Sequence, residues 1–105
     1  MVKAARTHKV KVIDELHSIR CASGIGSIRL EAWQDEAARV VKYNFAFINH
    51  MLCSTDNGRV LGYDNAHGSH QRHFKGAIEE VAFFNYEAHF ERFIAEVESL
   101  RREKT

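Results

Sequence analysis

Proline is absent from the 105 residues, and cysteine occurs only twice, at Cys21 and Cys53. Without proline there are no rigid linkers or polyproline segments. The two cysteines make no metal-type spacing and give no basis for a disulfide, so buried free thiols in a reducing compartment are expected. No apolar run nears the ~18 residues of a membrane helix. The opening MVKAARTHKVKVIDEL is basic but has neither the apolar core nor the cleavage site of a secretory signal. Charge of one sign is not in excess either, the formal net charge being +1. Low-complexity stretches, internal repeats and linkers are also missing. These absences leave a single domain over residues 1–105, expected in the cytoplasm, that buries roughly two thirds of its unfolded surface on folding.

What is present is unevenly spread. Residues 1–20 carry five Lys/Arg against two acids, and residues 59–78 carry Arg59, Arg72 and Lys75 against Asp64. Residues 79–105 carry seven Glu against four Lys/Arg. A local anionic site fits this pattern better than a whole-surface nucleic-acid binder. Residues 1–8 are expected to fray. Lys9 to Leu16 reads as a short strand or short helix, and Ser23 to Ser27 as a turn on its two glycines. Ser27 to Trp33 alternates with period two, as a half-buried strand does, with a helix across 30–39 as the competing reading. Arg39 to Asn49 is rich in β-branched and aromatic residues, with Val41, Tyr43, Phe45 and Phe47 on one face. Ser54 to Gly58 is turn chemistry, Arg59 to Asp64 a return strand, and His70 to Val81 another broken at Gly76. Asn85 suits the N-cap of a helix whose Phe90, Phe93, Ile94, Val97 and Leu100 form one apolar stripe. The expected class is α+β: an antiparallel meander sheet packed against a C-terminal amphipathic helix.

The segment Tyr63 to Lys75, YDNAHGSHQRHFK, holds three of the seven histidines, His67, His70 and His73. Asp64, Asn65 and Gly68 are explained by a hairpin loop. Three histidines with Arg72 and Lys75 are not. One chemistry that uses them is RNA cleavage by internal transfer. A base takes the 2′-hydroxyl proton, an acid protonates the leaving oxygen, and cations meet the charge on phosphate. On an extended strand His70 and Arg72 share a face and His73 points away with Lys75. His70 with Arg72 is then the favoured pair, His67 or Tyr63 reaches in from the loop, and Asp64 orients a histidine. The catalytic set is His70, His73, Arg72, His67, Tyr63 and Asp64, with Lys75, Arg59 and Asn65 as binding residues. A metal site on His67, His70, His73 and Asp64 is the competing chemistry, although those spacings share no single face. His89 is placed at the surface or edge. His17 and His50 are isolated. Trp33, Tyr43 and Phe47 read as core more than as base-stacking platforms, and Arg101-Arg102 as helix-end electrostatics.

Arg59 to His73, RVLGYDNAHGSHQRH, resembles the TumE-like toxins of bacterial toxin–antitoxin systems. Those chains carry a strand ending in Arg-Tyr-Asp-Asn-Ala and then a His-rich segment. Tyr63, Asp64, Asn65 and Ala66 match the first part, and His67, His70 and His73 the second. Gly62 stands where the signature has Arg, and Gly68-Ser69 replaces the proline and paired histidines. The resemblance implies a growth-inhibiting toxin acting on RNA, neutralised by a cognate antitoxin. The expectation is therefore a metal-independent ribonuclease without cofactor, with RNA and an antitoxin as partners, no membrane, and a homodimer left open. The alternative is a non-catalytic interaction module: an antitoxin, a phage-encoded inhibitor or a regulatory subunit.

Overall fold

Runs of β-branched and aromatic residues punctuated by Gly, Asn and Asp give six strands in succession. The computed structural model describes residues 8–104, so the fraying expected of residues 1–8 lies, His8 apart, outside the described residues. The strands are β1 (Val10–Cys21), β2 (Gly24–Gln34), β3 (Val40–Ile48), β4 (Arg59–Asp64), β5 (Gln71–Phe74) and β6 (Ala77–Glu80), followed by helix α1 (Tyr86–Leu100). They form one antiparallel sheet in chain order, β1-β2-β3-β4-β5-β6. The expected α+β class, meander and C-terminal helix all hold.

One face of the sheet is apolar, because β3 and β4 put alternate large side chains there. Tyr43, Phe45, Phe47, Leu61 and Tyr63 are fully or almost fully buried, and α1 covers them with Phe93, Val97 and Leu100. The ring of Phe45 meets Phe90 and Phe93 at 5.4 and 5.5 Å between centroids. Asn85 caps the helix, its side chain accepting from Ala88 N–H at 2.7 Å. The opposite face carries Glu31, Trp33, Lys42, Asn44, Asp64 and His73, and no described element covers it.

Three local expectations change. Of the two readings of residues 9–16 the strand holds, but it is not short: β1 runs on to Cys21 and pairs with β2 along its length. The β1–β2 turn is Ala22-Ser23, not 23–27, and both glycines lie inside β2. Gly26 is there for closeness rather than for turning, since a Cβ would sit 2.7 Å from the Ile48 carbonyl oxygen. The helix considered across 30–39 does not form. β2 continues to Gln34, and the Asp35 carboxylate closes the turn by accepting from Ala37 and Arg39 N–H.

One irregularity positions the site. Phe47 pairs with Leu61 but Ile48 pairs with Arg59, so Val60 is an extra residue in β4. A bulge of this kind re-aims the side chain beside it. By simple alternation Arg59 would share the helix-covered face with Leu61 and Tyr63. The bulge turns it to the open face, beside Gly62 and Asp64.

Candidate functional site

The β4–β5 register decides which site residues can meet. Gly62 pairs with His73, Tyr63 with Arg72 and Asp64 with Gln71. His73 and Asp64 therefore lie on the open face, while Tyr63 and Arg72 lie under the helix. His70 and Arg72 share the helix side, as strand alternation leads one to expect, and His73, the other histidine of the expected catalytic set, is on the opposite side of the sheet.

On the open face, His73 Nε2 stands 3.0 Å from Asp64 Oδ2. Its N–H is not aligned to donate there, so Nε2 makes no hydrogen bond. Arg59 Nη2 donates to His73 Nδ1 at 3.1 Å, and Arg59 Nη1 stands 3.7 Å from Asp64 Oδ2. Asp56 holds Arg59 from behind, accepting from Nε at 2.8 Å. Both His73 and Asp64 are buried, at 7% exposure each. Gly62 makes this packing feasible, since a Cβ there would come within 2.8 Å of Arg59 Cδ. Two hollows flank the group and share Asn44. One of about 220 Å³ is lined by Glu31, Trp33, Lys42, Tyr43, Asn44, Asp64 and Ala66. The other, about 350 Å³, is lined by Arg29, Asn44, Ala46, Ile48, Asp56, Asn57 and Arg59. Burial works to raise the Glu31 carboxyl, but hydrogen bonds from Lys11 and Asn44 and the nearby Arg29 bring it down to about 2. Glu31 therefore stays ionised and carries no proton at neutral pH.

Under the helix the polar groups are tied to one another. Tyr63 Oη donates to Glu96, and Arg72 donates to the same carboxylate through Nε, at 3.1 Å, and through Nη2. Arg92 lies over the Tyr63 ring, 5.4 Å from its centroid. Burial, then the Glu96 bond, pushes the Tyr63 phenol up to about 12. Burial would raise Glu96 as well, but the bonds from Arg72 and Tyr63 prevail and hold it below the usual carboxylate range. His70 bonds Tyr43 Oη through Nδ1 at 2.8 Å and stacks on Phe83 at 3.9 Å. His89, expected at the surface, is only 4% exposed, with its Nε2 unpartnered. It meets Tyr63 edge-on at 4.9 Å. Burial keeps both imidazoles below their ordinary pKa, and for His89 the neighbouring His70 and Arg92 add to it.

The remaining expected residues are dispersed. His67 is exposed in the β4–β5 loop. Asn65 stitches the sheet, its Oδ1 accepting from Tyr43 N–H at 3.1 Å and its Nδ2 donating to the Val41 carbonyl at 2.9 Å. Lys75, in the β5–β6 turn, stands 3.6 Å from Glu103. Among the described residues no three His, Cys, Asp or Glu side chains gather as a metal would need. The ligand set His67, His70, His73 and Asp64 is split between a loop tip and two faces.

The model of the family described as toxin TumE matches residues 5–101. The chain belongs to the toxin TumE family. No curated protein and no solved structure matches it. Membership puts this TumE chain on the toxin side of a toxin–antitoxin pair and implies a cognate antitoxin as partner. Among the described residues no helix is long and apolar enough to cross a membrane. Sequence reasoning missed two participants, His89 and Glu96. Both had a signal: His89 lies four residues before Phe93, and Glu96 four before Leu100, so both fall in or beside the apolar stripe.

Proposed function

We propose that this TumE toxin is a metal-independent ribonuclease of the cytoplasm, that its reacting group is His73, and that Asp64 and Arg59 complete the site. The observation that carries this reading is the Arg59–His73–Asp64 contact set, held on an uncovered sheet face between two hollows. Asp64 flanks the imidazole at Nε2, 3.0 Å away, where its negative charge favours the imidazolium that forms in the reaction. Arg59 occupies Nδ1, and a phosphodiester is a stronger partner for a guanidinium than a neutral imidazole is. When Arg59 turns to phosphate, Nδ1 is freed to take the 2′-hydroxyl proton. The 2′-oxygen then bonds to phosphorus, the bond from phosphorus to the 5′-oxygen breaks, and the imidazolium returns its proton to that leaving oxygen. The products are a 2′,3′-cyclic phosphate and a 5′-hydroxyl. In this reading His70, Arg72 and Tyr63 hold the helix against the sheet, Asn65 holds β3 to β4, and His67 and Lys75 lie outside the reacting centre.

Purified chain incubated with RNA tests this directly. His73→Ala is expected to lower cleavage ~10²–10⁴-fold, the usual worth of a positioned proton transfer, with the circular dichroism spectrum unchanged. His70→Ala is expected to cleave at the wild-type rate at a temperature where it is folded. Full activity in His73→Ala, or loss of activity in EDTA with recovery in zinc, would overturn the reading.

A further inference from the structure

β1 is an edge strand of twelve residues, and among the described residues only part of its outer edge is covered. The two-residue turn Ala22-Ser23 makes Cys21 and Gly24 a hydrogen-bonded pair, as in tight hairpins. Odd-numbered residues from Ile13 to Cys21 then bond to β2, and even-numbered ones turn their N–H and C=O outward. At the turn end these outward groups are taken by the residue after α1. Ala22 N–H donates to the Arg101 carbonyl at 2.8 Å, and the Arg20 carbonyl accepts from Arg101 Nε at 3.0 Å. At the other end the ladder is broken by the bulge between Lys11 and Ile13. Among the described residues, what stays open is the edge of Asp14, Leu16 and Ser18, symmetric about Leu16, whose large apolar side chain is 64% exposed. Open edges of this sort recruit another strand.

We infer that the open edge of β1 pairs antiparallel with β1 of a second copy of this chain, Leu16 opposite Leu16, making one continuous twelve-stranded sheet. The sequence is self-complementary in that register. Asp14 falls opposite Ser18 of the second copy, and Ile13 opposite Ile19. Glu15 falls opposite His17, which in one copy already stand 2.7 Å apart, so two copies make a square of alternating partners. The three outward pairs exchange both main-chain bonds, about six hydrogen bonds in all. A two-fold axis through Leu16 makes the contact isologous and closes the assembly at two copies. The inference is independent of the ribonuclease reading, and neither requires the other.

Sedimentation of the purified chain over a dilution series is expected to give a monomer–dimer equilibrium. Cys21 and Cys53 are buried, so Leu16→Cys introduces one accessible thiol. Hydrogen-bonded partners lie ~5.5 Å apart at Cα, within disulfide reach. Leu16→Cys is therefore expected to form a reducible cross-linked dimer on mild oxidation, while Ile25→Cys on β2, also exposed, is not. Ser18→Pro removes an outward N–H without removing a bond to β2, and is expected to be monomeric with an unchanged spectrum. Leu16→Lys gives the same reading should Ser18→Pro not fold. A wild-type chain that stays monomeric at every concentration overturns the inference. So does equal cross-linking of Leu16→Cys and Ile25→Cys, or a Leu16→Lys variant that remains dimeric.

Discussion

At Gly62 a missing side chain lets Arg59 pack against His73. A Cβ there would stand 2.8 Å from Arg59 Cδ and 3.1 Å from its Nη1. Gly62→Ala is therefore expected to lift Arg59 off His73 while leaving the fold intact, because the displaced group is a flexible side chain rather than backbone. RNA cleavage should fall, and adding Arg59→Ala to Gly62→Ala should lower it little further. Kinetics of both singles and the double give the cycle. His89 allows a test by acid. Burial, with His70 and Arg92 close by, keeps its imidazole neutral in the folded chain, whereas the unfolded chain takes up the proton near pH ~6.5. The unfolded state thus binds more protons below that pH, and stability falls as pH falls through and below it. The melting temperature is expected to be level above neutrality and to decline in acid, and His89→Leu should flatten that decline. Sequence reading named His73, Asp64 and Arg59, because these residue types cluster in one segment. It could not pair them, because a bulge at Val60 leaves no mark in composition yet decides the face on which Arg59 lies.

Elements were legible where periodicity and punctuation agreed. Arg59 to Asp64 is β4 to the residue, and Asn85 caps α1 as its position before the apolar stripe requires. Lys75 and Gly76, both at positive φ, make the two-residue turn that divides β5 from β6. The β1–β2 hairpin was misread because glycine carries two meanings. Gly24, with φ of 129°, leaves the turn, whereas Gly26 lets the Ile48 carbonyl approach. The helix is the element most open to a stability test. Val97 is 1% exposed and faces the aromatic sheet, so Val97→Asp would bury an unpaired charge. A cost of about 3–5 kcal/mol is expected, measured by urea denaturation. Asn85→Ala should cost only about 1 kcal/mol, the usual worth of an N-cap. A similar cost for the two would mean that α1 is held by its own propensity rather than by docking.

At the scale of the whole molecule, the sheet divides the polar residues of one thirteen-residue segment, Tyr63 to Lys75, between two groups that other elements complete. His73 reaches the uncovered face with Asp64 and Arg59, while His70 and Arg72 reach the covered face with Tyr43, Tyr63, His89 and Glu96. No hydrogen bond or ion pair among the described residues joins the two sets. Strand alternation was visible in the sequence, and with it the divergence of His70 and His73. What was not visible was which of the two meets a carboxylate and a guanidinium, because Asp64 and Glu96 sit on different elements and either could have served. The separation predicts how the two histidines behave together. His70→Ala removes a hydrogen bond to Tyr43 and a stack on Phe83, and is expected to cost about 1–2 kcal/mol of stability. His73→Ala is expected to remove cleavage at a smaller cost in stability, since its side chain lies on the sheet face that no described element covers and its Nε2 has no hydrogen-bond partner to lose. Residues without shared partners add to within about 0.5 kcal/mol, so the double variant should show the sum of the two stability losses and the cleavage rate of His73→Ala alone. Melting curves and single-turnover cleavage on all four proteins give both readouts. A double variant much less stable than the sum would mean that the faces are coupled through β5. A His70→Ala single that loses cleavage as severely as His73→Ala, while folded, would move the reacting centre to the helix side.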